Sequence, residues 1–80
     1  MTREEVYEEL TEIFRDVFDD DSIEINDDTT SEDIEAWDSL EHVNLMLEVM
    51  ETFEVEFNMG EVNDMKNVGD MVTMILNRMS

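Results

Sequence analysis

Residues 38–50 read Asp38-Ser39-Leu40-Glu41-His42-Val43-Asn44-Leu45-Met46-Leu47-Glu48-Val49-Met50, and the architecture turns on them. Asp38 stands where a helix cap is expected, with Glu41 three residues on, the pattern of a capping box. Leu40, Val43, Leu47 and Met50 follow at helical spacing, and Met46 and Phe53 extend that face. A second helix therefore starts at Asp38 and fades at Thr52-Phe53-Glu54-Val55. Upstream, Asp19 to Asp38 is dominated by Asp, Asn, Ser and Thr, which compete with helical hydrogen bonds. A connection of about twenty residues is long for a compact domain and is usually functional or anchored. Ile23, Ile25, Ile34 and Trp37 lie within it and are expected to pin it to the core. Ser31 to Ala36 is expected to form one helical turn capped by Ser31.

Further out, Thr2-Arg3-Glu4-Glu5 has the capping-box form, and Val6, Leu10, Ile13, Phe14 and Val17 make one stripe, predicting a first helix from Thr2 to about Phe18. On the C-terminal side Val55, Phe57 and Met59 alternate with polar residues. A strand there has nothing to pair with, so it is discounted. Gly60 is expected to break the chain and Glu61–Met65 to form a short turn of helix. Asn67 then caps a last helix with Asp70 at its third position. Its stripe is Val68, Met71, Val72, Ile75, Leu76 and Met79, and Arg78 suits the negative end of the dipole. The expected fold is all-α: three main helices, one short helix and a long first loop, in a single domain spanning 1–80.

The composition excludes several functions. Eighty residues hide only roughly 60% of their unfolded surface on folding, leaving one thin core. With 24 Asp+Glu against 4 Lys+Arg the formal net charge is -20, which disfavours nucleic acid and anionic membranes and favours basic partners. There is no Cys and one His, so disulfides, thiolate chemistry and ordinary zinc sites are excluded, and no specific metal site is expected. No apolar run approaches a membrane span and no signal peptide is visible, so a cytoplasmic monomer is expected. The abundant carboxylates read as solvated acidic faces rather than catalytic groups. A Ser39–His42 nucleophile needs a third orienting group and an oxyanion site. His42 reads instead as a surface residue beside Glu41. Ser39 is the informative residue: just after its cap, its hydroxyl faces solvent where free N–H groups and the helix dipole favour an anion.

Asp38-Ser39-Leu40, opening a helix after a long acidic loop, resembles the Asp-Ser-Leu motif of acyl carrier proteins. Trp37 before it, the run Glu41–Leu47 after it, and Asn67-Val68-Gly69-Asp70 at the last helix extend the likeness over nearly the whole chain. The resemblance implies an acyl-carrier-like bundle in which a transferase attaches 4'-phosphopantetheine, taken from coenzyme A, to Ser39, with Asp38 and Leu40 beside it. The arm then carries an acyl group as a thioester to biosynthetic enzymes of a fatty acid, polyketide, or lipid or polysaccharide pathway, and the chain itself is no enzyme. Leu40, Glu41, Val43 and Met46 match partner-facing or pocket-facing positions, and Val62, Met65 and Met71 match the region lining an acyl cavity. Glu41, Glu48 and Glu51 share a broad face suited to basic docking patches. Met46 and Met50 join the soft interior that would part around an acyl chain, and the bulk of Met71 implies a shallow cavity.

Trp37, Met50 and Phe57-Asn58 depart from the Gly, the late acidic cluster and the Ile-Pro pair of housekeeping fatty-acid carriers, and peptidyl carriers are less acidic. A discrete, specialised carrier is implied. The alternative is an acidic helical adaptor or nucleic-acid mimic that binds basic proteins without a prosthetic group.

Overall fold

The computed structural model describes residues 1–79 and contains four helices with no strand among them: α1 (Arg3–Phe18), α2 (Ser39–Phe53), α3 (Met59–Asn63) and α4 (Val68–Met79). α1 forms where the sequence placed it. The Thr2 side chain accepts from the Glu5 N–H, and the Glu5 carboxylate accepts from the Thr2 N–H at 2.9 Å. Those bonds hold the Glu5 carboxyl below the usual range. Val6, Leu10, Ile13 and Phe14 are buried, while Val17 packs only partly. The helix stops at Asp19, which turns left-handed at φ 51°, a conformation that Asp tolerates.

α1 packs against both α2 and α4. The inner face of α2 is Leu45, Met46, Val49 and Phe53. This corrects the stripe read from the sequence: Leu40 is 70% and Leu47 57% exposed, and Val43 and Met50 are half-buried. Apolar residues cover well over half the circumference of α2, wider than the face it buries, so spacing alone selects the wrong seam. The buried Met46 also cannot serve as a partner-facing residue; it belongs to the core.

The loop at 19–38 carries no helix. Single turns close at Thr30–Asp33 and Ile34–Trp37, and Thr30, not Ser31, organises the first, its N–H donating to Asp33. The loop is pinned as expected. Ile23 and Trp37 are buried, and Ile25 and Ile34 pack against the core. Phe14 meets Trp37 edge-on with centroids 5.2 Å apart. Arg15 Nε donates to the Ile23 carbonyl at 2.9 Å. The loop also caps α4: the N–H groups of Val68 and Gly69 donate to the carbonyls of Thr29 and Asp27 at 2.9 and 3.1 Å. Asp27 is gripped in turn by Tyr7 Oη and by Arg3, at 2.7 Å. These bonds hold the Asp27 carboxyl below its ordinary range, while burial and the Asp27 partner push Tyr7 up to about 12.

Gly60 does not break the chain. Asn58 caps α3 through a reciprocal box with Glu61, so the helix starts at Met59 and takes Gly60 into its first turn. The Asn58 N–H, with Arg78 in support, holds the Glu61 carboxyl below its usual range. Val55 and Phe57 are buried, but Met59 is exposed, so the alternation upstream is an extended connection and not a strand. In α4, Asn67 Oδ1 accepts from the Asp70 N–H at 2.8 Å, and Val68, Met71, Val72 and Ile75 are buried. Leu76 is half-buried, and Met79 at the end of the stripe is exposed.

Candidate functional site

Ser39 is the first residue of α2, and its side chain is exposed. Asp38 holds the helix start, its Oδ1 accepting from the Glu41 N–H at 2.8 Å, while its carbonyl accepts from the His42 N–H at 2.9 Å. The reciprocal half of the box does not form; the Glu41 carboxylate takes the Asn44 amide instead, at 3.3 Å. The N–H groups of Ser39 and Leu40 lie in the first turn, where the helix offers no acceptor one turn back. They and the positive helix end favour an anion on the Ser39 side.

A cavity of about 390 Å³ opens beside Ser39, lined by Trp37, His42, Asn63, Met65 and Lys66 among others. Its wall is built by one side chain that sequence reasoning misplaced. His42 is half-buried, not a surface partner of Glu41. Trp37 Nε1 donates to His42 Nδ1 at 3.0 Å, and His42 Nε2 lies 2.9 Å from the Val62 carbonyl. An indole nitrogen only donates and a carbonyl only accepts, so His42 is the neutral tautomer with its proton on Nε2. The two rings stack, with centroids 5.8 Å apart. His42 thereby ties the end of the long loop, the start of α2 and the end of α3 into one frame around Ser39.

The expected pocket residues separate into three groups. Met65 lines the cavity beside Ser39. Met46, Val62 and Met71 are buried in the core and are not among the residues that line it. Met50 lies elsewhere: half-buried, it lines a groove with Glu51 and Arg78, and its sulfur accepts the Phe57 N–H at 3.3 Å. On the outer side of α2, Glu48 and Glu51 are exposed, and Glu41 and Val43 are half-exposed beside the exposed Leu40 and Leu47. Asn63, Lys66 and the bridging role of His42 were not singled out. Periodicity carries no signal for them, since none belongs to a core stripe. Among the described residues no group of three or more His, Cys, Asp or Glu is placed to hold a metal ion, and no helix is long and apolar enough to cross a membrane.

Comparison with known proteins agrees with this fold. Residues 8–75 match the family model for the phosphopantetheine attachment site. Fifteen solved chains match. One is the solution structure of a holo acyl carrier protein from Geobacter metallireducens. It is 42% identical, covers 91% of this chain and 84% of its own, and superimposes with a TM-score of 0.85. No curated protein sequence matches the chain.

Proposed function

The chain belongs to the acyl carrier protein family, whose prosthetic group is covalently bound 4'-phosphopantetheine, and on that premise we propose that Ser39 is the attachment residue. The observation that carries this reading is that the first residue of α2 is an exposed serine that lines a cavity. The residues present fit the group. A phosphodiester on Ser39 would meet the positive end of the helix, and the cavity offers room for the arm beside an indole, an imidazole and a thioether. When bound, the arm supplies a terminal thiol that holds an acyl group as a thioester.

The chain's own residues do no chemistry on that thioester in this reading. Asp38 fixes the helix start, Leu40 sits exposed beside the attachment point, and His42 keeps the wall of the cavity in place. Leu40, Glu41, Val43, Glu48 and Glu51 form the face offered to a phosphopantetheinyl transferase and to acyl-processing enzymes with basic patches. Leu47 joins them by its exposure. Charged rim contacts of this kind act mainly on encounter rate. The filled core of Met46, Val62 and Met71 supports a short or partly exposed guest over a deeply buried one. The pathway served is that of a fatty acid, a polyketide, or a lipid or polysaccharide.

Intact mass after incubation with coenzyme A and a broad-specificity transferase tests the assignment. One phosphopantetheine is expected on the wild type and none on Ser39→Ala, which should fold unchanged. Reversal of Glu41, Glu48 and Glu51 together should slow the transfer strongly, and each single reversal modestly, because exposed pairs are worth about 0.2–1 kcal/mol. Addition at another serine, or none with several competent transferases, would overturn the reading. An unchanged rate for the triple variant would remove the docking face. Acyl-loaded forms of increasing length test the guest: amide shifts at Val62 and Met71 that keep growing with each carbon pair would show a deep cavity.

A further inference from the structure

Four Lys and Arg side chains must serve a molecule of formal net charge -20. Among the described residues three are committed. Arg3 pairs with Asp27. Arg78 pairs with Glu61 and lies over the Phe57 ring. Arg15 donates to the Ile23 carbonyl. Lys66 alone has neither an ion pair nor a side-chain hydrogen bond; only its backbone N–H is engaged, by Asp70 at 3.3 Å. Its side chain is exposed, yet it lines the same cavity as Ser39.

That placement is electrostatically specific. A phosphodiester on Ser39 adds a negative charge next to Asp38 and Glu41, on a surface that already repels it. The helix dipole favours the anion only within the first turn. Among the described residues lining the cavity, this uncommitted ammonium is the one mobile counter-charge, and its long stem can follow the phosphate as the arm moves. We propose that Lys66 is a positioning residue that pairs with the phosphodiester of the Ser39-linked arm and holds the arm's first segment in the cavity between Trp37–His42 and Asn63–Met65. The proposal rests on Ser39 being the attachment residue. It gives this lysine a role only in the modified protein: among the described residues of the unmodified chain its side chain has no partner to lose.

The test compares unmodified and modified full-length wild type, Lys66→Gln and Lys66→Arg. Mass spectrometry first establishes modification; absence of the added group at Ser39 in all three would count against the attachment site and not against the lysine. With the group in place, phosphorus NMR reads the phosphodiester directly. The wild-type and Lys66→Arg resonances are expected to agree, and Lys66→Gln to be displaced. Raising ionic strength from about 0.01 to 0.1 M should shrink that difference, as screening requires. A partly exposed pair shifts the ratio of docked to free arm by roughly 1.5- to 5-fold, which nuclear Overhauser contacts from the arm to Trp37 and Met65 should follow. The Lys66 side-chain resonances of the wild type should move on modification, a readout that needs no variant. Unmodified Lys66→Gln should melt with the unmodified wild type. Identical phosphorus shifts and identical salt responses in all three proteins, with Lys66 resonances unmoved by modification, would overturn the proposal.

Discussion

At Gly69 a single missing methyl group decides how closely the long loop approaches α4. A Cβ there would lie 2.9 Å from the Asp27 carbonyl oxygen and 3.1 Å from its Cβ. Asp27 cannot retreat, because its carboxylate is held by Arg3 and Tyr7 while its carbonyl accepts the Gly69 N–H. Gly60 presents the opposite case. It is exposed, and its Cβ would meet only the Asn58 side-chain oxygen, at 3.3 Å. Alanine is the better helix former by about 0.5–1 kcal/mol at both sites. Gly69→Ala is nonetheless expected to destabilise by about 1–3 kcal/mol, the usual cost of overpacking. Gly60→Ala should stay within about 0.5 kcal/mol of the wild type, its propensity gain offset by the small shift that Asn58 must make. At about 4–8 °C per kcal/mol for a domain of this size, thermal melts separate the two. Equal midpoints for both variants would show that the loop yields at Asp27.

Elements differ in how far they stand on their own. α3 has five residues, far too few to hold a helix by backbone bonds alone. It survives through its tethers: the Asn58–Glu61 box, the buried Val62, Arg78 on Glu61, and His42 on the Val62 carbonyl. His42→Leu removes the last of these and leaves the largely buried Trp37 N–H unpaired, which costs about 1–3 kcal/mol. Hydrogen exchange should therefore accelerate at Val62 and Asp64 well before α1 or α4 responds. Uniform loss of protection, or none, would show that the His42 bridge does not hold α3. The same bridge marks where sequence reading stops. α1 and α4 were legible because each has one apolar stripe and a side-chain cap, at Thr2 and Asn67. The start of α2 at Ser39 was legible because Asp38 announces a helix cap. The inner face of α2 was not, since Leu40, Val43, Leu45, Met46, Leu47, Val49 and Met50 spread over an apolar arc much wider than the face that is buried. The start of α3 was hidden by reading Gly60 as a breaker when Asn58 is the cap. The roles of His42 and Lys66 depend on packing α3 against the start of α2, a contact that no local pattern records.

Across the whole molecule the net charge of -20 is carried on a body with a radius of gyration of 11.4 Å and extents of 32 × 25 × 21 Å. The screening length is about 30 Å at 0.01 M salt and about 10 Å at 0.1 M. At the lower concentration carboxylates on opposite faces still repel one another; at the higher one only near neighbours do. Folding concentrates that repulsion, so the thermal midpoint at neutral pH should rise as salt increases over this range. Acid brings in a second effect of opposite sign. Glu5, Asp20, Asp27 and Glu61 are held below the usual carboxylate range by hydrogen bonds in the folded chain, so they bind protons less readily there than when unfolded. Their stabilisation is present above the unfolded value of about 4 and is lost as pH falls through their lowered folded values. Near pH 4, where ordinary carboxylates are about half protonated, the repulsion has largely gone and salt has little left to screen. Melting curves at two salt concentrations and a series of pH values should therefore show a salt-dependent gap that is widest at pH 7 and closes towards pH 4. Below that, the midpoint should fall at both concentrations as the hydrogen-bonded carboxylates protonate. A midpoint at pH 7 that is the same at 0.01 and 0.1 M would mean that the acidic faces are too dispersed for their mutual repulsion to limit the fold.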